Sequence, residues 1–122
     1  VVGSLINKGY HNDVLEVSGD GSPIRDFIYS EDVARGMMHM VENKVTEPVN
    51  LGSGTGVTIK RVAEIVANNF DLKIEWESDK PMGDSKRVMD TSRAESYGFK
   101  ADTSFEDGIQ KTIEWYKENK DV

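Results

Sequence analysis

The chain has 122 residues, no cysteine and a formal net charge of −7. This length suits one domain with a buried core, and 37% apolar with 30% charged residues is typical of a folded protein. The negative charge disfavours nucleic acid as a partner, because binding it needs a clustered basic surface. No apolar run approaches the ~20 residues of a membrane helix. We therefore expect one domain, residues 1–122, located in the cytoplasm, with no nucleic-acid or membrane partner.

The first quarter of the chain carries helix, strand and turn signals in that order. Residues 1–8 resemble a helix entered partway, with Gly9 in the left-handed position that ends a helix. The start has no initiator methionine, so we expect a piece of a longer protein. Residues 14–17 are a predicted strand, the turn formers of 19–23 close it, and 24–29 are predicted to be extended.

A second helix is predicted to begin at Ser30, a good N-cap residue followed by acidic residues that favour a helix N-terminus. The apolar residues at helical spacing predict its buried face. The methionines of this helix are interpreted as core residues. The face comprises Val33, Met37, Met40 and Val41, with Met38 beside them.

A strand at 48–52 leads into the glycine-rich segment 52–56, and Thr58 is the predicted cap of the next helix. This arrangement imitates a dinucleotide-binding motif, but the glycine spacing is G-x-G-x-G instead of G-x-G-x-x-G. Val57 also places a β-branched side chain inside the loop. A flexible turn between strand and helix is the favoured interpretation.

The last part of the chain predicts a strand at 73–77, a polar loop at 78–87 and a short helix at 91–97 that Gly98 ends. A final helix follows, capped by Thr103 or Ser104. Its predicted buried stripe is Phe105, Ile109, Thr112, Ile113 and Tyr116. The class is mixed α/β, and the strand at 48–52 has bare edges unless something outside the chain pairs with it.

Arg25 is the first candidate for ligand binding. It lies between Pro23 and Phe27, in a segment predicted to be rigid, and a guanidinium presented in this way suits bidentate contact with a phosphate. The alternative is an ordinary salt bridge to Asp26 or Asp32.

The loop 78–87 is the second candidate, because it sets Lys80, Lys86 and Arg87 around a Pro/Gly turn. Such a loop can surround an anion, although a run of charges is more often a solvated surface. His11 and His39 lack cysteines or carboxylates at ligand spacing, so the residues predict no metal site.

Four motifs in order resemble the extended short-chain dehydrogenases/reductases that act on sugar nucleotides, the NAD-dependent epimerase/dehydratase family. Residues 19–34 resemble its G-x-G-x-P-x-R-x-F-x-Y-x-x-D-x-A segment, and residues 49–54 its N-x-G-x-G strand. Residues 80–90 resemble its K-P-x-G-x-x-x-R/K-x-x-D loop, and residues 104–116 its closing S-x-E-x-G-I-x-x-T-x-x-W-Y helix. The resemblance covers nearly the whole chain.

The resemblance implies that this chain is the carboxyl-terminal substrate-binding lobe, with the Rossmann half absent. In the family, the arginine matching Arg25 holds the diphosphate of a nucleotide-diphosphate sugar, and a basic residue matching Arg87, with Lys86 beside it, contacts the same group. Ser18 stands where some members place a tryptophan beside the nucleotide. The NAD(P)-binding loop and the catalytic Ser/Thr and Y-x-x-x-K precede this region, so we expect no catalytic and no cofactor-binding residue in this chain.

Within the family, Lys80-Pro81 and Ser30 favour the GDP-L-fucose synthases, which implies NADP or NAD in a parent enzyme that epimerises and reduces a GDP-4-keto-6-deoxy sugar. Met82 departs from that group, which has an acidic residue there, and Ser18 is a second departure; both leave base and sugar open. The alternatives are a UDP-sugar 4-epimerase or dehydratase of the same superfamily, or a non-catalytic binding or assembly module. That module could form a homo-oligomer through the strand edge at 48–52.

Overall fold

The structure is a computed structural model, and it describes residues 1–120. It is mixed α/β, as predicted. No helix among these residues has the length and apolar character needed to cross a membrane. The elements are α1 Val2–His11, β1 Val14–Ser18, β2 Ile24–Asp26, α2 Ser30–Glu42, β3 Gly56–Thr58, α3 Ile59–Phe70, β4 Lys73–Glu77, β5 Lys86–Arg87, α4 Ser92–Ser96 and α5 Phe105–Asn119.

Two small sheets organise the chain. In the first, β1 pairs with β4 in parallel, from Val14 opposite Lys73 to Ser18 opposite Glu77. The second has the order β3-β2-β5, with β2 antiparallel to β3 and parallel to β5. The strand β5 begins inside the segment that was predicted to be a loop, and β2 is shorter than the predicted extended segment. The second sheet thus joins the region around Arg25 to the basic loop.

The core lies between α1, α3, α5 and the inner face of β1. Burial alternates along β1, with Leu15 and Val17 inside and their neighbours outside, as expected of a strand with one buried face. The helices α3 and α5 contribute apolar residues at helical spacing, and the predicted stripe of α5 is confirmed at Ile109 and Ile113. The buried members are Val62, Ala63, Val66 and Ala67 of α3, with Ile109 and Ile113 of α5. This core holds the ends of β1 and α1 in place beside the candidate site.

Two predicted helix caps are confirmed and a third is wrong. Thr58 Oγ1 accepts a hydrogen bond from Arg61 N, and Ser104 Oγ accepts one from Asp107 N, both at 3.1 Å. Ser30 is the first residue of α2 and makes no side-chain cap, because Tyr29 occupies the N-cap position.

Gly9 does not end α1, which continues to His11 and has Asn12 as its C-cap. Gly9 is buried where α1 meets α3. A Cβ placed there would lie 2.7 Å from Cδ2 of Phe70 and 3.0 Å from Cγ1 of Val66. The glycine therefore allows close approach of two helices, and the prediction of a left-handed terminus at this position is wrong.

The apolar face of α2 is exposed. Met37 and Met38 are each 59% exposed and Val41 is 73% exposed, whereas the buried positions of the helix are Asp32 and Gly36. The prediction that the methionines fill the core is wrong for Met37 and Met38, whereas Val33 and Met40 are half-buried.

Residues 48–52 do not form the predicted strand. No strand of the described chain pairs with them, although Leu51 is half-buried and approaches Gly36 of α2. A strand is stable only when its N–H and C=O groups are paired. Leu51 meets α2 at Gly36, on the buried side of the helix. We call the exposed apolar residues Met37, Met38 and Val41 of α2 the open face.

Candidate functional site

A groove of about 250 Å³ lies between α1, the exposed face of β1 and the loop that follows β4. Arg25 and Ser18, two of the predicted site residues, both line it. Its walls are largely apolar and include Leu5, Pro23 and Met82. A mostly apolar groove with a few polar groups is typical of a small-molecule site.

Arg25 is half-buried and has no acidic partner within residues 1–120. Its Nη1 atom donates one hydrogen bond, to the carbonyl of Ile24 at 2.8 Å. Neither of the salt bridges considered from the sequence forms, because Asp26 and Asp32 are bound to other groups. A guanidinium has five N–H donors, so Arg25 retains donors for an anion.

Arg87 is the direct neighbour of Arg25 across the second sheet. The parallel pairing of β2 and β5 sets Arg25 opposite Arg87 and Ile24 opposite Lys86. Paired residues share a sheet face and successive residues alternate, so Arg87 lies on the face of Arg25 and Lys86 on the other. Arg87 does not itself line the groove; its guanidinium binds the carboxylate of Asp84, with Nε at 2.6 Å.

Ser18 connects the groove to the loop that follows β4. Its hydroxyl donates to Glu77 Oε2 at 3.5 Å, and the other oxygen of Glu77 lies 2.8 Å from Lys80 Nζ. The bond to Lys80 is the main cause that lowers the pKa of Glu77, and the same bond raises the pKa of Lys80. Lys80, one of the three cations of the basic loop, is thus occupied in holding that loop against the end of β4.

Met82 is a site residue whose packing the sequence did not reveal. Gly19 has φ of +85°, and a Cβ there would lie 2.6 Å from Cγ of Met82. The backbone N–H of Asp20 also approaches the Met82 sulfur at 3.4 Å. The thioether therefore lies directly on the turn between β1 and β2 and closes one side of the groove. The only local signal was the glycine itself, which permits this approach.

Asp26 is the second residue whose role was missed. Its carboxylate accepts hydrogen bonds from Ser53 N and Gly54 N, both at 2.9 Å, and from Met89 N at 3.2 Å. The hydroxyl of Ser53 also donates to it. These bonds join β2 to the glycine-rich segment and to the chain just after β5. The partners are 27 to 63 residues away in sequence, so no local pattern indicates them.

The same bonds show how the glycine-rich segment is used. A dinucleotide-binding loop offers its backbone N–H groups to a pyrophosphate. Here the N–H groups of Ser53 and Gly54 are bound to Asp26, and the last glycine, Gly56, begins β3, so the segment does not lead directly into α3. The segment does not fit a dinucleotide. Among the described residues no cluster of three or more histidines, aspartates or glutamates is placed to bind a metal ion.

Comparison with known proteins identifies the family. The model of the GDP-mannose 4,6-dehydratase family matches residues 4–112. The chain therefore belongs to the extended short-chain dehydrogenases/reductases, the family of nucleotide-sugar epimerases and dehydratases, as the four motifs predicted.

Two relatives show which members of the family have sequences similar to this chain. A putative GDP-L-fucose synthase 2 of Arabidopsis thaliana is 38% identical over 92% of this chain, and the match covers 35% of that protein. A putative UDP-glucose 4-epimerase of Methanocaldococcus jannaschii is 32% identical over 98% of this chain and 39% of that protein. The chain thus spans well under half the length of these relatives.

A solved structure supports the same conclusion. The GDP-L-fucose synthetase of Naegleria fowleri, bound to NADP, superposes with a TM-score of 0.91 at 25% identity. All of this chain is covered, but only 41% of that one. The predicted mixed α/β fold is confirmed, and the chain is similar to GDP-L-fucose synthases in both sequence and structure.

Proposed function

We propose that this chain is the substrate-binding lobe of a nucleotide-sugar epimerase/reductase of the GDP-L-fucose synthase type, and that Arg25 and Arg87 bind the diphosphate of the sugar nucleotide. The observation that carries the proposal is the pairing of these two arginines on one face of the second sheet, beside a groove. Two adjacent like charges repel each other, and a shared anion removes that repulsion. A diphosphate offers the two anionic groups that two guanidinium forks prefer.

The two arginines have different roles in this proposal. Arg25 is held by β2 and has no carboxylate to displace, so it is a preorganised donor. Arg87 is exposed and bound to Asp84, so it exchanges that carboxylate for the ligand. Lys86 lies on the opposite sheet face and adds only a longer-range attraction. Ser18 lies at the groove edge, where its hydroxyl can contact the nucleoside.

The rest of the activity is assigned to the part of the relatives that this chain does not span. Reduction and epimerisation of a 4-keto-6-deoxy sugar nucleotide need NADP or NAD held against the sugar, and the glycine-rich segment does not fit that cofactor. Two features support a missing Rossmann half as partner: the exposed apolar residues of the open face, and residues 48–52, with which no strand of the described chain pairs. We also propose that the protein is located in the cytoplasm.

A UDP-sugar 4-epimerase or dehydratase of the same superfamily is the second candidate, favoured by the similarity to the M. jannaschii protein. Comparing turnover of GDP-linked and UDP-linked sugars by the full-length protein separates the two. A non-catalytic assembly module, joined through residues 48–52, is the third. Light scattering that finds a non-associating monomer would contradict it.

The proposal is tested by replacing Arg25 with alanine in the full-length protein. Losing one charge-assisted contact should raise the KM for the sugar nucleotide about tenfold or more. Arg61→Ala is the matched control, because Arg61 is exposed, pairs within the described residues only with Glu106, and lies outside this groove. An unchanged KM for Arg25→Ala would remove Arg25 from the site.

A further inference from the structure

The strand pair that sets Arg87 beside Arg25 is short. The strand β5 has two residues, and both are exposed. They pair with β2 in parallel, Ile24 opposite Lys86 and Arg25 opposite Arg87. On the near side of β5, the backbone N–H of Ile24 donates to the carbonyl of Ser85 at 2.9 Å. An isolated pair of short strands is marginally stable in water, so the position of Arg87 depends on what holds the chain on the far side of β5.

Asp26 holds the chain on that far side. Asp26 is the residue after Arg25 in β2. Its Oδ2 atom accepts a hydrogen bond from the backbone N–H of Met89 at 3.2 Å, two residues beyond Arg87. Gly52 makes the contact possible, because a Cβ there would lie 2.9 Å from Oδ2 of Asp26 and 2.5 Å from Cβ of Met89. A backbone bond before β5 and this side-chain bond after it thus fix the strand at both ends.

The carboxylate of Asp26 is itself held in one orientation. Its Oδ1 atom accepts from the N–H and the hydroxyl of Ser53, and its Oδ2 atom accepts from Gly54 N as well as from Met89 N. Within residues 1–120 it forms no ion pair, so it occupies no donor of Arg25. Successive residues of a strand face opposite sides, so Asp26 lies on the sheet face opposite to the arginines and outside the groove. The carboxylate therefore stabilises the strands that carry the arginines from the other face of the sheet.

We propose that Asp26 is a positioning residue of the diphosphate site, which fixes the spacing between Arg25 and Arg87 and makes no contact with the ligand. The inference rests on the proposed function, since it assumes that both arginines bind one diphosphate. Two guanidinium groups bind an anion more tightly when both are ordered beforehand, because binding then does not have to order them. Without the bond to Met89, β5 can separate from β2, and Arg87 no longer shares the anion with Arg25.

The test is isothermal titration of the full-length protein with GDP. In the otherwise unmodified protein, Arg87→Ala should raise the dissociation constant about tenfold, the size of one charge-assisted contact. Asp26→Asn sets an amide NH2 group against backbone N–H donors, so it loses the bonds on one side of the carboxylate. This variant should itself raise the dissociation constant about tenfold, and Arg87→Ala added to it should raise it by less than about twofold more. Arg25→Ala added to it should still weaken binding, because Arg25 remains in β2.

Asp90→Asn is the matched control. Asp90 also accepts a backbone N–H, from Ser92 at 2.9 Å, but within residues 1–120 it makes no bond to β2, so its variant should bind GDP normally. Gly52→Ala is a second variant that keeps the charge of Asp26. Its methyl group would push the carboxylate and Met89 apart, so it should reproduce the loss of the Arg87→Ala effect. Thermal melts establish that each variant is folded.

The outcomes distinguish this inference from the proposed function. If both arginine variants weaken GDP binding and Arg87→Ala keeps its full effect beside Asp26→Asn or Gly52→Ala, the positioning role is overturned and the diphosphate site stands. Where one of these two variants does not fold, the other decides. If neither folds, the positioning role is also overturned, because Asp26 is then needed for the fold as a whole. Normal GDP affinity of both arginine variants overturns the proposed function and this inference together.

Discussion

Asp32 is the one charged side chain that is buried among residues 1–120, with 3% exposure. Burial by itself raises the pKa of this carboxyl. Hydrogen bonds from Thr103 N at 3.0 Å and from Arg35 at 3.1 Å oppose that effect and hold the pKa of Asp32 below its ordinary value. The carboxylate therefore joins the start of α2 to the segment before α5, and it is a structural residue apart from the groove.

Replacing Asp32 with asparagine should lower the free energy of unfolding by about 2 kcal/mol at neutral pH, because charge-assisted hydrogen bonds to a buried group are lost. The pKa of Asp32 is lower in the folded state than in the unfolded state, so the unfolded state binds more protons in acid. This contribution is complete above the ordinary carboxyl pKa, about 4, and is lost as the pH falls through the folded pKa.

Urea unfolding at neutral pH and near pH 3 measures both effects. The difference in stability between the native protein and Asp32→Asn should shrink in acid. Asp102→Asn is the control, because Asp102 is an exposed partner of the same arginine, and its loss should cost below about 1 kcal/mol. A gap of the same size at both pH values would contradict a stabilising role of the ionised Asp32 carboxylate.

At the scale of residues, the sequence identified Arg25 and Ser18 as candidate site residues but not Asp26 or Met82. Arg25 could be found because its neighbours in the chain define a recognisable motif. The contacts of Asp26 and Met82 cross between segments that are distant in sequence. Local patterns carry no information on such contacts.

At the scale of helices and strands, the sequence predicted correctly the features that depend only on residues close together in the chain. The caps Thr58 and Ser104 each bond an N–H three residues further along, so a short window of sequence contains all the information needed. Among residues 1–120, the segment 48–52 pairs with no strand and much of the apolar face of α2 is exposed. Their patterns were recognised correctly as apolar, but a local pattern does not show whether another element covers an apolar residue.

The contact between α1 and α3 gives a prediction at the scale of elements. Gly9→Ala would normally favour a helix by up to about 1 kcal/mol, but here its Cβ would lie 2.7 Å from a ring carbon of Phe70. We expect a net destabilisation of about 1–3 kcal/mol from this overpacking. Gly3→Ala in the same helix is the matched control, since no atom lies within 4 Å of its new Cβ, and it should be neutral or stabilising. Thermal unfolding measures both, and an equal gain for the two variants would contradict the packing account.

At the scale of the whole molecule, the arrangement of the arginines explains how a chain with a negative net charge can bind an anionic ligand. The net charge of −7 repels phosphates at long range, yet Arg25 lines the groove and Arg87 is its direct neighbour across the second sheet. Acidic residues bind the other four arginines of the described chain, which are Arg35, Arg61, Arg87 and Arg93. Within residues 1–120, Arg25 is the one arginine without a carboxylate partner, and it lines the groove, which is why the ligand is assigned to it.

The convergence of two arginines on one diphosphate is tested most directly by a double-mutant cycle on GDP affinity. Titration of the native protein, Arg25→Ala, Arg87→Ala and the double variant gives four dissociation constants. Each single change should raise the dissociation constant about tenfold. The two effects should couple by at least about 0.5 kcal/mol, because both side chains contact one ligand. A normal affinity for either single variant, or effects that add without coupling, would contradict a shared diphosphate site.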